Sequence, residues 1–169
     1  ILDKQRFTAE PETKITLFQG IPKQGKMELI VQKAVELGVS DIVPVFMKRT
    51  VVTDKGNFGK KIQRWQKISD EAVKQCKRGV IPEVHDAVKM DEAISRFDRF
   101  DMVLFPYENE EGTTIKDVLR AAVSQDCDGS FGGSDGPGYA KAAGRPFSVA
   151  VVIGPEGGFS DEEAKAVVE

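Results

Sequence analysis

The sequence predicts an α/β protein in which a parallel sheet carries helices on both of its faces. Short apolar runs rich in β-branched residues, such as ITLF at residues 15–18 and DIVPVF at residues 41–46, alternate with segments of helical periodicity. Such runs suit strands buried on both faces, and their alternation with helices is typical of βαβ units. A chain of 169 residues with 40% hydrophobic and 30% charged side chains fits one domain of ordinary size.

The composition excludes several classes of site and location. Two cysteines, Cys76 and Cys127, are too few for a disulfide framework or a zinc site, so a cytoplasmic location is expected. His85 is the single histidine, which argues against a histidine-based metal site and against a Ser-His-Asp triad. No apolar run is long enough for a membrane span, and no signal peptide is visible. With a net charge of −3, nucleic-acid binding would require a local basic patch.

The stretch FSVAVVIGPEGGFSDEE, residues 147–163, combines a buried strand, a glycine turn and a helix start. Ser160 and Glu163 have the spacing of a capping box, which predicts that a helix begins there. Open α/β sheets bind small ligands at the carboxyl ends of their strands, so this turn is a candidate ligand loop. GPEGG has neither the GxGxxG spacing nor a following Gly-Lys-Ser/Thr, which argues against a pyrophosphate ligand. A tight connection without a ligand is the alternative.

The rest of the chain predicts further elements of the same kind. Pro44 lacks an N–H group, which suggests that its strand lies at a sheet edge or contains a bulge. Asp91 is predicted to cap a short helix at residues 91–97, and Thr113 or Thr114 to cap a helix that continues to residue 122. A helix is predicted at residues 26–37, strands at 81–84 and 101–105, and a mobile loop with six glycines at 124–146.

The helix predicted at residues 60–78 is amphipathic and basic on one side. Residues 55–78 hold eight basic and two acidic side chains in a chain that is acidic overall. Trp65 falls on the apolar side, where it is expected in the core rather than as a stacking platform. The charged side is either an ordinary solvated face or a surface that binds phosphates. Its basic residues are Lys60, Arg64, Lys67, Lys74 and Arg78.

Four stretches in this order resemble the RsmE-type methyltransferases of the SPOUT superfamily. They are ITLFQGIPKQGKMELIVQKAVELGV, RWQKISDEAVKQCKR, LFPYE and IGPEGGFS. The resemblance implies that S-adenosylmethionine is the cofactor and that N3 of a uridine in small-subunit ribosomal RNA is methylated. It also implies a SPOUT-type α/β domain with a C-terminal trefoil knot, and a homodimer with the cofactor held in the knot loops.

The resemblance assigns the sites by motif. The implied cofactor loops are Leu104, Phe105, Pro106, Tyr107 and Glu108, together with Ile153, Gly154, Pro155, Glu156, Gly157 and Gly158. The implied RNA-binding residues are Arg49, Lys60, Arg64, Lys67, Lys74 and Arg78. Glu71 and Gln75 are candidates for ordering these arginines or for meeting the base, whereas Lys26 and Glu28 are weaker candidates. The sequence identifies no general base, and His85 is not nominated.

The resemblance also sets the expected domain organisation. Residues 1–14 are expected to be a linker or the remnant of an upstream PUA-like domain, and residues 15–169 a SPOUT domain incomplete at its C-terminus. A final segment with an Arg-Thr-Glu-Thr-like motif, which completes the knot in this family, is missing from the sequence. Two alternatives remain: a non-catalytic RNA-binding ribosome-assembly factor of the same fold, and an α/β enzyme that uses another nucleotide.

Overall fold

The computed structural model describes residues 10–23, 25–52, 56, 58–108, 114–125 and 146–168. These residues form strands and helices in the alternating order that the sequence predicts. In chain order the elements are β1 (Lys14–Gly20), α1 (Lys26–Glu36), β2 (Asp41–Phe46), α2 (Phe58–Cys76), β3 (Glu83–Val84), β4 (Val88–Lys89), α3 (Met90–Ile94), a 3₁₀ turn (Phe97–Arg99), β5 (Met102–Leu104), α4 (Ile115–Gln125), β6 (Ser148–Ile153) and α5 (Asp161–Val168).

The sheet is parallel, as predicted. Its strands lie in the order β3-β2-β1-β6-β5, and β4 also pairs with β2. The chain therefore places β2, β3 and β4 on one side of β1. It then crosses to the other side, where β5 forms the edge and β6 lies between β5 and β1. This topology brings the carboxyl ends of β1, β2, β5 and β6 to the same edge of the sheet.

Helices cover both faces of the sheet, which confirms the predicted layer architecture. Successive residues of a strand point to opposite faces. Accordingly, Ile42 packs in a core with α1 and α2, whereas its neighbour Val43 packs in a second core with α3 and α5. Trp65 is 4% exposed in the first of these cores, as its place on the apolar side of α2 predicts.

The prediction that Pro44 marks a sheet edge is wrong, because β2 lies between β1 and the pair β3 and β4. The Ile42 carbonyl accepts a hydrogen bond from the His85 N–H at 2.9 Å, which lies on the side of β2 that faces β3 and β4. The backbone of Pro44, two residues further along the strand, faces this same side. β3 pairs with residues 41 and 42, and β4 pairs with residues 45 and 46. Pro44 therefore falls in the gap between two short strands, where no N–H donor is required.

Several boundaries differ from the predicted ones. α3 begins at Met90, and its N-cap is Lys89 without a side-chain hydrogen bond, so Asp91 is not the cap. The two-residue strand β4 was not predicted, because two residues carry no periodicity. α4 does begin after a threonine cap, since the Asp117 N–H donates to Thr114 Oγ at 3.2 Å. Residues 126–145 of the predicted glycine-rich loop, and residues 1–9, lie outside the described residues.

Within the described residues, no helix is both long enough and apolar enough to cross a membrane.

Candidate functional site

Four loops meet at the edge of the sheet where β1, β2, β5 and β6 end. They follow Gly20, Phe46, Leu104 and Ile153. Because the strands are parallel and adjacent, the sheet itself positions the loops against one another. Both predicted cofactor loops, residues 104–108 and 153–158, lie at this edge.

The turn between β6 and α5 is closed and packs directly on β1. The Gly158 N–H donates to the Pro155 carbonyl at 2.9 Å, and Gly158 has a φ of +66°, a conformation that favours glycine. A Cβ at Gly20 would lie 2.7 Å from Cδ of Pro155, so only glycine allows this approach of β1 to the turn. Gln19 is 4% exposed, and its amide donates to the carbonyls of Gly20 at 2.9 Å and Gly154 at 3.4 Å.

Sequence reasoning missed Gln19 and Gly20 as parts of the site. The available signal was a polar side chain followed by glycine at the end of an otherwise apolar strand. Such a pair is uncommon inside a buried run and indicates that another segment approaches the backbone closely.

Glu156, in the middle of the turn, is tied to the start of α1. Its carboxylate accepts hydrogen bonds from the Lys23 N–H at 3.1 Å and pairs with Lys26 Nζ at 2.9 Å. The hydrogen bond from Lys26 lowers the pKa of the Glu156 carboxyl to about 2. The Lys26 side chain is exposed, and its ammonium contacts the predicted cofactor loop.

The loop after β2 holds the other side of the turn. Arg49 Nη1 donates to the Gly157 carbonyl at 2.7 Å, and Lys48 N–H donates to Glu163 Oε1 at 2.7 Å. The Lys48 ammonium also pairs with Glu162. Arg49, which was predicted to bind RNA, is therefore exposed and in direct contact with the predicted cofactor loop.

The predicted capping box is present at the start of α5. The Glu163 N–H donates to Ser160 Oγ at 3.2 Å, and the Ser160 N–H donates to Glu163 Oε2 at 2.9 Å. Glu163 is 6% exposed and uses its second oxygen for the Lys48 N–H, so one carboxylate joins α5 to the loop after β2.

An open cleft of about 1120 Å³ lies beside the turn, between the loop after β5 and the helices α4 and α5. Ile115 and Val118 from α4, and Val167 and Val168 from α5, give it apolar walls. The remaining wall includes all five residues of the first predicted cofactor loop: Leu104, Phe105, Pro106, Tyr107 and Glu108.

Three contacts join the loop after β5 to the glycine turn and to the start of α5. Phe105 packs on Phe159 with ring centroids 4.3 Å apart, and the Tyr107 hydroxyl donates to Asp161 Oδ1 at 3.2 Å. The Glu108 carboxylate lies directly against Gly158, where an added Cβ would collide with it. The structure therefore brings the two predicted cofactor loops together at Glu108 and Gly158.

The basic side of α2 is exposed within the helix itself, Phe58–Cys76, as predicted. Arg64 Nε pairs with Glu28 of α1 at 3.4 Å, and the Arg64 side chain remains 72% exposed. The other exposed side chains on this side are Lys60, Lys67, Glu71, Lys74 and Gln75.

Arg78 does not reach solvent, which corrects the prediction that it extends the exposed stripe. α2 ends at Cys76, and the Arg78 side chain is 7% exposed. Its Nη1 donates to the carbonyls of Val35 at 2.9 Å and Val39 at 2.7 Å, while Nη2 pairs with Glu10 at 2.8 Å. The guanidinium thus donates to carbonyls near the end of α1, where a helix leaves its last carbonyls without donors of its own. The periodicity of charges along α2 does not reveal this role.

His85 lies near the opposite edge of the sheet. Its Nε2 lies 3.0 Å from Asp41 Oδ1, and this hydrogen bond raises the pKa of the imidazole. Asp41 is the first residue of β2, and the carboxyl end of β2 faces the site. The length of β2, about 16 Å, therefore separates Asp41 from the site. His85 therefore does not line the described cleft beside the glycine turn.

Comparison with known proteins gives a consistent result. Residues 9–169 match the family model described as an RNA methyltransferase domain. The chain is 31% identical over 157 residues to the ribosomal RNA small subunit methyltransferase E of Bacillus subtilis, which covers 92% of this chain and 55% of that protein. The chain thus spans little more than half the length of this relative.

Solved structures share the fold. A protein of Legionella pneumophila, described as a methyltransferase and solved with bound S-adenosylmethionine, superposes with a TM-score of 0.70 at 32% identity, covering 95% of this chain and 56% of the other. The ribosomal RNA small subunit methyltransferase E of Neisseria gonorrhoeae, also with S-adenosylmethionine, gives 0.68 at 24% identity, covering 92% and 54%. The second likeness concerns the fold alone.

Proposed function

Because the chain belongs to the RNA methyltransferase domain family, we propose that it transfers a methyl group from S-adenosylmethionine to small-subunit ribosomal RNA. The observation that carries this proposal is the meeting of the two predicted cofactor loops at Glu108 and Gly158, next to an open cleft. The S-adenosylmethionine bound in the Legionella structure supports the choice of cofactor, and the similarity to the Bacillus ribosomal RNA small subunit methyltransferase E supports the choice of substrate.

The residues of the cleft suit the parts of this cofactor. Phe105, Val118 and Val167 provide apolar surface for an adenine ring. Residues 104–108 and 153–158 follow the carboxyl ends of β5 and β6, and the glycines of the second loop allow a ligand to approach the backbone closely. S-adenosylmethionine supplies a sulfonium-bound methyl group, so the work of the protein is mainly to position the base in line with it.

On the RNA side, we propose that Arg49 and the exposed residues of α2 contact phosphates. Lys60, Arg64, Lys67 and Lys74 present positive charge to solvent on one side of the helix. Arg78 is not part of this surface, since its guanidinium binds Glu10 and backbone carbonyls. We further propose N3 of a uridine as the methylated atom, a homodimer as the active form and the cytoplasm as the compartment.

Calorimetric titration with S-adenosylmethionine, followed by transfer of labelled methyl groups to unmodified small-subunit RNA, tests the proposal. We expect saturable cofactor binding and incorporation of label into RNA, with the modified base identified by nucleoside chromatography. RNA binding without cofactor binding would instead identify the non-catalytic assembly factor. A label on another base or on another atom would overturn the N3 assignment but keep the enzyme class.

A further inference from the structure

Arg49 touches the glycine turn with both its stem and its head group. Besides the 2.7 Å hydrogen bond from Nη1 to the Gly157 carbonyl, Cβ of Arg49 would lie 3.2 Å, and its Cδ 3.4 Å, from a Cβ built on Gly157. The arginine stem therefore runs along the turn. Arg49 is nevertheless exposed, so the rest of its guanidinium is open to a partner from solution.

The chemistry of a guanidinium allows two simultaneous contacts. It has five N–H donors in a rigid planar fork, and it binds phosphate oxygens through paired donors. A donor bond to the Gly157 carbonyl occupies one of these N–H groups and leaves others for a phosphate. A lysine at this position has one compact ammonium, which cannot hold both partners in the same fixed geometry.

We propose that Arg49 is a positioning residue that couples RNA binding to the cofactor loop, holding an RNA phosphate and the Gly157 carbonyl at once. This inference rests on the function proposed above. A phosphate that fixes the guanidinium also fixes the carbonyl, and with it the turn from residue 154 to residue 158. Coupling between two ligands is reciprocal, so cofactor bound at the turn tightens RNA binding by the same factor.

Arg64 provides a matched control on the same proposed RNA surface. Its side chain is 72% exposed and pairs with Glu28, a residue of α1. Among the described contacts it makes none with the glycine turn. Removal of Arg64 therefore weakens RNA binding without changing how RNA and cofactor influence each other.

The experiment measures RNA affinity with and without saturating S-adenosylhomocysteine, which occupies the cofactor site but carries no methyl group to transfer. The probe is an unmodified transcript of small-subunit ribosomal RNA, and the intact protein is used. For the wild type, we expect RNA binding about tenfold tighter with the cofactor product present, within the usual range of coupling between sites. For Arg64→Ala, we expect weaker RNA binding with the same tenfold ratio.

Arg49→Lys is the decisive variant because it keeps the charge and removes the fork. We expect it to retain RNA affinity within about threefold in the absence of cofactor product, and the coupling ratio to fall below about twofold. Arg49→Ala should lose both affinity and coupling. An unchanged ratio in Arg49→Lys, or a wild type that binds both ligands without coupling, would overturn the inference and leave the proposed function intact. A wild type that binds no cofactor product would instead overturn the proposed function itself.

Discussion

Gly158 adopts a φ of +66° at the point where the turn meets the loop after β5. Substitution by alanine would place a Cβ in the left-handed region and against the Glu108 carboxylate. Two separate penalties therefore act at one residue, and both affect the proposed cofactor pocket rather than the cores.

We predict that Gly158→Ala lowers the affinity for S-adenosylmethionine at least about tenfold, because the turn must open or Glu108 must move. Calorimetric titration measures the affinity, and far-UV circular dichroism checks that the fold is retained. Gly59→Ala in α2 is the control, since an added Cβ there meets nothing within 4 Å. Equal cofactor affinity in both variants would show that the turn does not contact the cofactor.

Arg78 is largely buried, so its substitution should affect stability. Removing its side chain takes the guanidinium donors away from the Glu10 carboxylate and from the carbonyls of Val35 and Val39. Glu10 would keep the hydrogen bonds from the Gly79 and Val80 N–H groups. We predict that Arg78→Ala lowers the free energy of unfolding by about 3 kcal/mol, as loss of one partner of a largely buried pair does. Arg64→Ala, at an exposed site, should stay within about 0.5 kcal/mol. Urea titration measures both values.

The partner of Arg78 makes stability depend on pH. Hydrogen bonds from Arg78, with help from the Gly79 and Val80 N–H groups, lower the pKa of Glu10 below its ordinary value of 4.5. A lowered folded-state pKa stabilises the fold above the ordinary value, and this contribution is lost as pH falls through the folded-state pKa. We predict that Glu10→Gln loses stability at neutral pH and that its difference from wild type shrinks below about pH 4. A difference that does not vary with pH would contradict the assigned cause.

At the scale of elements, periodicity predicted what was long and regular. α1, α2 and β2 lie within one or two residues of their predicted ranges, because each has several apolar positions on a defined face. Pro44 and Arg78 were misjudged for a different reason. Their environments are set by neighbours distant in the chain, namely the gap between β3 and β4 and the end of α1. A single sequence carries no periodic signal for such contacts.

The site shows the same division. The loops at residues 104–108 and 153–158 were predicted from their motifs, and the structure brings them together; the capping box was predicted from its spacing and is present. Gln19, in β1, and Lys48, in the loop after β2, were missed because their contacts depend on which strands become adjacent. Strand order is a property of the assembled sheet and cannot be read from any one segment.

α2 provides the prediction at this scale. If its exposed basic side binds RNA phosphates, Lys67→Ala combined with Lys74→Ala should reduce the slope of log affinity against log salt by about 1.4 to 1.8, which is about 0.7 to 0.9 for each lost contact. The unfolding free energy should change by less than about 0.5 kcal/mol for each exposed lysine. Filter binding across a salt series measures the slope.

The matched control for α2 is Lys33→Ala combined with Lys89→Ala, which removes two exposed lysines from α1 and β4. It makes the same change in net charge away from the proposed surface. If both double variants show the same slope as wild type, the basic side of α2 is an ordinary solvated face.

At the scale of the whole molecule, the trefoil knot and the homodimer stay predictions that follow from the resemblance. Knots are rare among protein folds, and no local pattern would predict one. For the homodimer, the described surface offers a place of contact. Ile115 and Val168, both in the wall of the cleft, are 51% and 83% exposed, and Leu119, one turn along α4 from Ile115, is 40% exposed.

We predict that this apolar surface beside the cleft is buried between two copies of the intact protein. Large apolar side chains around a binding cleft are costly to leave in water, and a second copy would both cover them and complete the pocket. Light scattering at micromolar concentration should therefore give twice the mass of one chain, and Leu119→Glu should give a single chain with weaker binding of S-adenosylmethionine. Leu37→Glu is the control, because Leu37 is 84% exposed at the end of α1, outside the cleft wall. A wild-type monomer would contradict the prediction, and a Leu119→Glu dimer would place the interface elsewhere.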